Sequence, residues 1–273
     1  MMRQVRKIIK NALREDMPKG DISGKYLFDR EVAYGKLIAK ENGIISGITV
    51  IREVYRAVDR KLNYSPLVHD GDAVKVGDVI ALVDGPTKSL LKAERVALNI
   101  LQRMSGIATL TSRFVAETVG TKAVILDTRK TAPTLRVLEK LAVRHGGGQN
   151  HRMSLSDMVM LKDNHLKAAG SISEAVSRVR AKVNPKIKIE VEVETLAMFE
   201  EALATACDVI MLDNMDLDTM RECVRRNQGR KKLEASGNMS LDRIAEVAAT
   251  GVDYISVGML THSYASLDIS CRF

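Results

Sequence analysis

Between residues 34 and 84 the chain alternates short apolar runs with polar turns, and one helical stretch interrupts them. The segments YGKLIAKENGIISG and VHDGDAVKVGDVIALVDG have the period-two alternation and glycine turns of β-strands. Between them, TVIREVYRAVDRKL repeats apolar residues every three to four positions, as a helix does. This part of the chain is therefore predicted to be a mixed α+β module.

From Ser89 to about Val119 apolar residues recur at helical spacing, and Gly106 is predicted to break this stretch into two helices. Beyond it, short apolar runs alternate with helical patterns. The predicted strands are KAVILDTRK, DMVMLKDN, KIEVEVE, CDVIMLDN, KKLEASGN and DYISVG. The predicted helices cover residues 133–144, 171–183, 196–206, 217–226 and 241–250.

Strands that alternate with helices indicate right-handed βαβ units and a parallel sheet. An open doubly wound sheet usually has a glycine-rich first turn, and AVILDTRK has none. We therefore predict an α/β protein whose second part is an incomplete (β/α) barrel of six or seven strands.

The positions that follow the predicted strands carry the candidate chemistry, because reactive groups of barrel enzymes lie at the carboxyl ends of the strands. They combine strong cations, carboxylates and small turns: Asp127, Arg129, Lys130, Lys162, Asp163, Glu192, Glu194, Asp213, Asn214, Ser236, Gly237 and Gly258. Loop starts are often polar, but they need not combine these three kinds of residue. The turns in EASGN and SVG are suited to phosphate, which backbone N–H groups near a helix N-terminus bind.

The strand KIEVEVE has Glu190, Glu192 and Glu194 on one face and apolar residues on the other. If the apolar face meets the helices, the carboxylates point into the barrel, where cations or a metal must accompany them. The alternative is an edge strand with one solvated face.

The segment RHGGGQNHR poses a conflict. Its glycines permit close approach to a ligand. Simple counting of βαβ units, however, places it at the opposite end of the barrel, so His151 and Arg152 would lie away from the site unless the loop runs back.

Composition narrows the class of protein. Apolar residues make up 45% and charged residues 28%, as in folded globular proteins, and no apolar run approaches the length of a membrane helix. Three cysteines without metal-ligand spacing favour reduced thiols, and no secretory leader is recognisable, so we expect a cytoplasmic protein. The net charge of +8 suits anionic partners, but the absence of Trp disfavours nucleic acid, and the basic first helix is interpreted as a solvated face.

These motifs, in this order, resemble the quinolinate phosphoribosyltransferases, also called nicotinate-nucleotide pyrophosphorylases (carboxylating). The resemblance covers nearly the whole chain: ERVALNILQRMSGIATLT, DTRKTAPTLR, AVRHGGGQNHR, MLKDNH, EVEVE, IMLDN, LEASGN and YISVGMLTHS. It implies an N-terminal α/β sandwich domain (1–105), an α/β barrel (106–263) and a C-terminal tail (264–273) that packs on the sandwich. It also implies a homodimer, or a higher assembly of dimers, in which one subunit's sandwich covers the other's barrel mouth.

The reaction that the resemblance implies is a step of NAD biosynthesis. A phosphoribosyl group passes from phosphoribosyl pyrophosphate to quinolinate with Mg²⁺ as cofactor, and nicotinate mononucleotide, pyrophosphate and CO₂ are formed. Two anionic substrates require many fixed cations, and Arg grips a carboxylate with two hydrogen bonds.

The resemblance also implies roles for individual residues. The quinolinate carboxylates would be held by Arg129, His151, Arg152 and Lys162, and by Arg95 of the neighbouring subunit. Lys130 would lie near the pyrophosphate, and Glu192 and Asp213 would hold Mg²⁺ or the ribose hydroxyls. The 5′-phosphate would be bound by Ser236, Gly237 and Gly258, with His262 nearby. Lys130, Lys162, Glu192 and Asp213 are the expected catalytic residues.

Two alternatives remain at this point. A paralogous molybdenum-transport-associated protein shares the fold and many of the motifs, and it would act on a different base. A non-catalytic carrier or nucleic-acid-binding protein would need a modifiable lysine at a hairpin tip or a salt-sensitive basic surface, and would leave the barrel carboxylates unexplained.

Overall fold

The computed structural model describes all residues from Met1 to Phe273. The chain folds into two compact units. The first comprises Met1–Ser112, Thr131–Gly147 and Leu260–Phe273, and the second comprises Arg113–Lys130 and Gly148–Met259. The division between residues 105 and 106 stays a prediction.

The first unit contains the predicted α+β module. Its antiparallel sheet has the order β12-β1-β5-β3, and β2 and β4 form a separate two-stranded ladder. The strands are β1 (Val32–Ala39), β2 (Gly43–Ile44), β3 (Asn63–Pro66), β4 (Ala73–Val74), β5 (Val79–Pro86) and β12 (Ile269–Arg272). The helices are α1 (Met2–Asp16), α2 (Ile22–Leu27), α3 (Ile48–Val58), α4 (Thr87–Ala116), α5 (Arg136–His145) and α11 (Met259–His262), of which α4 and α11 reach into the second unit by a few residues.

The predicted break at Gly106 is wrong, because α4 is one helix of 30 residues. A side chain at Gly106 would collide with the backbone of the C-terminal segment: a Cβ there would lie 2.9 Å from the Cα of Ser266 and closer still to the carbonyl oxygen of Ala265. This glycine permits close packing of two backbones and does not end the helix.

The second unit contains the predicted barrel strands. Six parallel strands have the order β6-β11-β10-β9-β8-β7. They are β6 (Val124–Leu126), β7 (Val159–Leu161), β8 (Ile189–Val193), β9 (Val209–Asp213), β10 (Lys232–Ser236) and β11 (Tyr254–Ser256). The fold prediction, an α/β chain with an incomplete barrel, is confirmed.

The helices of the second unit follow the strands, as expected for βαβ units. They are α6 (Asp163–Ala169), α7 (Ile172–Arg180), α8 (Leu196–Leu203), α9 (Leu217–Asn227) and α10 (Ile244–Ala249), the last preceded by a 3₁₀ turn (Leu241–Arg243). The sequence pattern missed α6, whose single buried residue is Leu166, too few for a helical period. None of the helices in the structure has both the length and the apolarity that a membrane span requires.

Candidate active site

A pocket of about 540 Å³ lies at the carboxyl ends of the barrel strands, within the second unit. Of the twelve residues to which the resemblance assigns a role, ten line it: Arg129, Lys130, His151, Arg152, Lys162, Glu192, Asp213, Ser236, Gly237 and Gly258. The other two, Arg95 on α4 and His262 on α11, are exposed residues of the first unit, and His262 contacts the hydroxyl of Ser263 at 2.7 Å. Residues at or just beyond the carboxyl ends of six different strands thus meet at one pocket.

The carboxyl groups of β8 have basic partners: the Lys162 cation accompanies Glu192, as the alternation predicted, and the His151 imidazole accompanies Glu190. Glu192 accepts a hydrogen bond of 2.8 Å from the Nζ of Lys162, and Glu190 lies 3.0 Å from the Nε2 of His151. The alternative of an edge strand is wrong, because β8 pairs with β7 on one side and β9 on the other. Glu194 lies beyond the end of the strand and is exposed.

The glycine-rich segment runs back to the carboxyl end of β6, so the simple βαβ count was wrong for His151 and Arg152. Gln149 forms a parallel bridge with Leu126, and its amide donates to the carbonyl oxygen of Ile125 at 2.8 Å. This segment acts as a short extra strand beside β6. Since it runs parallel to β6, it delivers the residues that follow it to the pocket.

Asp127 fixes the end of this extra strand. Its buried carboxylate accepts hydrogen bonds from the side-chain amide of Asn150 at 2.6 Å and from the backbone amide of His151 at 2.9 Å. The residue directly after β6 therefore has a structural function, and it holds the loop that presents His151 to the pocket.

His151 lies against two buried carboxyl groups. Its Nε2 is 3.0 Å from Glu190 and 3.5 Å from Glu234, and neither glutamate side chain is more than 2% exposed. Burial and the neighbouring Glu234 raise the pKa of Glu190 to about 7. Glu190 therefore retains a proton more readily than an exposed carboxyl group would.

The backbone amide of Arg152 decides which form of the imidazole fits. It donates to the Nδ1 of His151 at 2.8 Å, so this nitrogen carries a lone pair and the hydrogen is on Nε2. The side-chain oxygens and Nε2 of the cluster lie within 4.8 Å of one another. A metal would need the Nε2 lone pair, however, and the Arg152 contact places the hydrogen there, so the cluster is better suited to holding the ring than to holding an ion.

The Arg152 side chain is fixed by a second contact, in which its guanidinium donates to the carbonyl oxygen of Met158 at 3.0 Å. Burial and the nearby Arg129 lower the pKa of Arg152 from its usual value. Two guanidinium groups that repel each other at one pocket favour an anion between them.

The turns after β9 and β10 interlock at the pocket. The Asn214 amide donates to the carbonyl oxygen of Ser236 at 3.0 Å, and the Asn214 side chain contacts both Asp213 and Asn238. Gly237 has φ +92°, and a Cβ there would lie 2.9 Å from the Asn214 nitrogen. Only glycine fits this turn, because its φ is positive and Asn214 occupies the place of a side chain.

Sequence reasoning missed Glu234, which lines the pocket beside His151. A signal was present: in β10 the buried Glu234 stands between the apolar Leu233 and Ala235, the same alternation that singled out β8. The role of Asp127 in holding the loop was also missed, because it depends on the return of the chain at Gln149.

Family models match both parts of the chain. The N-terminal domain of quinolinate phosphoribosyl transferase matches residues 21–105, and the C-terminal domain matches residues 107–272. The chain belongs to the quinolinate phosphoribosyl transferase family. The predicted resemblance is thereby confirmed.

Relatives of this quinolinate phosphoribosyl transferase chain are similar along its whole length. A probable nicotinate-nucleotide pyrophosphorylase [carboxylating] of Bacillus subtilis (strain 168) is 44% identical over 98% of this chain and 92% of its own. A mitochondrial quinolinate phosphoribosyltransferase [decarboxylating] 2b of Nicotiana tabacum is 42% identical over 98% of this chain and 82% of its own. These names do not favour the molybdenum-associated alternative.

Solved structures share the fold of this family member. NadC from Streptococcus pyogenes superposes with a TM-score of 0.96 at 42% identity, over 100% of this chain and 97% of that one. The nicotinate-nucleotide pyrophosphorylase from Francisella tularensis has a TM-score of 0.95 at 36% identity, over 98% and 95%.

Proposed function

We propose that this chain transfers the phosphoribosyl group of phosphoribosyl pyrophosphate to the ring nitrogen of quinolinate, forming nicotinate mononucleotide, pyrophosphate and CO₂. One observation carries the proposal: a single pocket combines a cluster of cations, two strand-end carboxylates and a glycine-containing turn. Each part matches one feature of the reactants. The family and its relatives support the same reaction.

The cationic side of the pocket is assigned to quinolinate. Arg129, Arg152 and Lys162 would bind its two carboxylates, and each guanidinium can grip one carboxylate with two parallel hydrogen bonds. The contacts of Arg152 with Met158 and His151 hold this side chain and its backbone in place before substrate arrives. His151 would complete this side as a neighbour of the bound ring.

The turn of Ser236 and Gly237, with Gly258, is assigned to the 5′-phosphate. Backbone N–H groups bind a phosphate without a charged side chain. Lys130 lies at the same pocket and would neutralise the pyrophosphate. His262 is proposed to lie near the phosphate in the assembled enzyme.

Glu192 and Asp213 are assigned to the ribose and to Mg²⁺. Two carboxylates at the ends of neighbouring strands suit this ion, which is commonly held by one or two carboxylates together with substrate phosphates and water. Bound Mg²⁺ would neutralise charge on the departing pyrophosphate. The same carboxylates would stabilise the positive charge that develops on the ribose as its bond to pyrophosphate breaks.

Decarboxylation needs no covalent nucleophile in this scheme. Once the ring nitrogen is bonded to ribose it carries a positive charge, so the electron pair of the adjacent carbon–carboxylate bond can stay on the ring carbon as CO₂ leaves, and that carbon then takes a proton from water. The pocket residues need only hold this carboxylate in position.

We further propose that the enzyme works as a homodimer, or an assembly of dimers, in the cytoplasm. Exposure of Arg95 on α4 supports a role for this cation at the pocket of a second copy. All three cysteines are unpaired, which fits a reducing compartment.

To test this, the purified protein is incubated with phosphoribosyl pyrophosphate, Mg²⁺ and either quinolinate or nicotinate. The formation of CO₂ and of nicotinate mononucleotide is then measured. We expect both products from quinolinate and none from nicotinate. Absence of product with either base, from a protein that still binds the donor, would contradict the assignment of the base.

A further inference from the structure

A second concave surface, which we call the basic groove, lies in the first unit between α1, α3 and β3 and has a volume of about 1220 Å³. Six cations line it: Arg6, Lys10, Arg14, Arg52, Arg56 and Arg60. Three of these cations lie on α1 and are spaced four residues apart, and the other three have the same spacing on α3 and the turn that follows it. Each set therefore forms a stripe along one side of its helix. The candidate active site is lined by other residues, all of the second unit.

The basic groove has far more positive than negative charge. Glu53 is its single acidic lining residue, and it forms ion pairs with Arg6 at 2.7 Å and Arg56 at 3.4 Å. Lys10, Arg14, Arg52 and Arg60 have no ion pair in the structure. Like charges at this helical spacing repel each other and destabilise a helix. The arrangement therefore has a cost that a bound anion would remove.

Helix α9 shows what an ordinary basic surface of this chain looks like. Its three arginines each pair with a carboxylate: Arg221 with Asp218 at 2.6 Å, Arg225 with Glu222 at 2.6 Å, and Arg226 with Glu200 at 2.7 Å. The arginines of α9 are thus locally neutralised, whereas four of the six cations of the basic groove have no ion pair. The contrast argues against interpreting α1 as only a solvated face.

The floor of the basic groove favours phosphate over a nucleobase. The ring of Tyr64 stacks on Tyr55 with centroids 5.4 Å apart, and the guanidinium of Arg52 lies 5.9 Å from the Tyr64 centroid. One face of the aromatic pair is thus taken by a protein cation, so it is not a free stacking platform of the kind that single-stranded nucleic acid requires. The contact also orients Arg52, which reduces the entropy lost when it binds an anion.

We propose that the basic groove binds a linear polyphosphate chain, either an inorganic oligophosphate or the phosphate tail of a nucleoside triphosphate. Residues four apart on a helix are separated by about 6 Å along its axis, so an extended chain of phosphates meets successive cations on both sides of the groove. Five of the six cations are arginines, which bind phosphate oxygens with two hydrogen bonds at once. This proposal does not depend on the reaction of the other pocket.

The test measures binding of tripolyphosphate to the full-length protein by calorimetry at low ionic strength. Because the active site also takes phosphates, we expect two classes of site in the unmodified protein. The triple variant Lys10→Gln/Arg52→Gln/Arg60→Gln should lose one class, with affinity lowered about tenfold or more, since three of the charge-assisted contacts are removed. Its kinetic constants for both substrates should stay unchanged.

The matched control is Arg221→Gln/Arg225→Gln/Arg226→Gln, which removes the same charge from α9 and should keep both classes of site. Thermal melting confirms that both triple variants fold. Equal binding by the groove variant and the unmodified protein would overturn the proposal, and so would equal losses in the two triple variants.

A second binding experiment compares an inorganic oligophosphate with a nucleoside triphosphate as the source of the phosphates. ATP and tripolyphosphate binding in the groove with similar affinity, and no binding of adenosine, would support recognition of phosphates alone. Binding of adenosine to the groove, lost in the groove variant, would contradict a site for phosphates.

Discussion

Arg152 makes few contacts with its side chain inside the protein, so its replacement tests substrate binding more than folding. Its guanidinium contacts one backbone carbonyl, and its amide contacts His151. Arg152→Ala removes only the side-chain contacts, so we expect the KM for quinolinate to rise about tenfold or more, the loss of roughly one charge-assisted contact. The KM for phosphoribosyl pyrophosphate should stay within about twofold. Initial rates with each substrate varied in turn measure both constants.

Arg178→Ala provides the control for this prediction, because Arg178 pairs with Glu174 on the surface of α7. It should change neither constant. If Arg152→Ala raised both KM values equally, Arg152 would not be a residue specific to quinolinate.

Gly237 allows a second test at a single residue. Gly237→Ala places a Cβ 2.9 Å from the Asn214 nitrogen at a positive φ, so the turn must shift. We expect the KM for phosphoribosyl pyrophosphate to rise more than the KM for quinolinate. Gly229→Ala is the matched control, since it has φ +74° and no atom within 4 Å of the added carbon. It should lower stability by about 1 kcal/mol and leave both KM values unchanged.

The sequence sufficed for the pocket residues that directly follow strands, because parallel strands bring their carboxyl ends to one edge. It predicted Lys162 and Asp213 in this way, and their placement needed no long-range information. His151 needed the return of the chain beside β6, which depends on a single bridge at Gln149. Such a contact leaves no periodic pattern, and only the resemblance anticipated its result.

At the scale of whole elements, replacing Gly106 in α4 by alanine is expected to change the free energy of unfolding in the direction opposite to the usual one. Replacing a glycine within a helix by alanine normally stabilises it by about 1 kcal/mol. Gly106→Ala should instead destabilise the protein, because the added carbon would collide with the backbone at Ala265 and Ser266. Urea unfolding measures the change. An increase in the free energy of unfolding would show that the C-terminal segment does not pack here.

The sequence predicted the six barrel strands well because each is either a short apolar run or a short alternation of apolar and polar residues between polar turns. It failed where local and tertiary constraints differ. Gly106 has the local character of a helix breaker, yet the helix continues because the C-terminal segment packs against it. Helix α6 begins directly after β7 and has a capping contact between His165 and the Lys162 amide, but it lacks an apolar stripe. Caps of this kind do not show in hydrophobic periodicity.

The strand ends opposite the pocket are joined through Asp253, which gives a prediction of pH dependence. Its carboxylate accepts from the Leu233 amide at 3.0 Å and pairs with Lys232 at 2.9 Å and Lys122 at 3.2 Å. Burial opposes the charged form, but these contacts outweigh it and hold the pKa of Asp253 below its usual value. The stabilisation is therefore complete above the unfolded pKa of about 3.9 and is lost as the pH falls through the lower folded value.

Asp253→Asn should accordingly lower the free energy of unfolding at pH 7 by about 1–3 kcal/mol. Below about pH 4 the difference from the unmodified protein should shrink, because the unfolded chain binds a proton at Asp253 there and the folded chain does so only at lower pH. Urea unfolding at several pH values measures it. A difference that stayed constant down to pH 2 would mean that the charge of Asp253 does not contribute.

At the scale of the whole molecule, the positive charges behind the net charge of +8 are unevenly balanced by carboxylates. Helix α9 neutralises its arginines locally, the pocket gathers cations beside carboxylates, and the basic groove leaves four cations without an ion pair. Two of these three surfaces are the proposed anion-binding sites. Binding at either should therefore weaken as salt is raised, since exposed charges are screened over about 8–10 Å at physiological salt.

The proposed dimer can be tested through Arg95, which is assigned to the pocket of the other subunit. Arg95→Ala and Asp213→Ala should each abolish most of the activity as separate proteins. When the two are unfolded together and refolded, half of the dimers are mixed, and each mixed dimer has one pocket with both Arg95 and Asp213 intact. Activity should return to roughly a quarter of that of the unmodified enzyme. If Arg95 served its own subunit, each pocket would lack one residue and mixing would restore nothing.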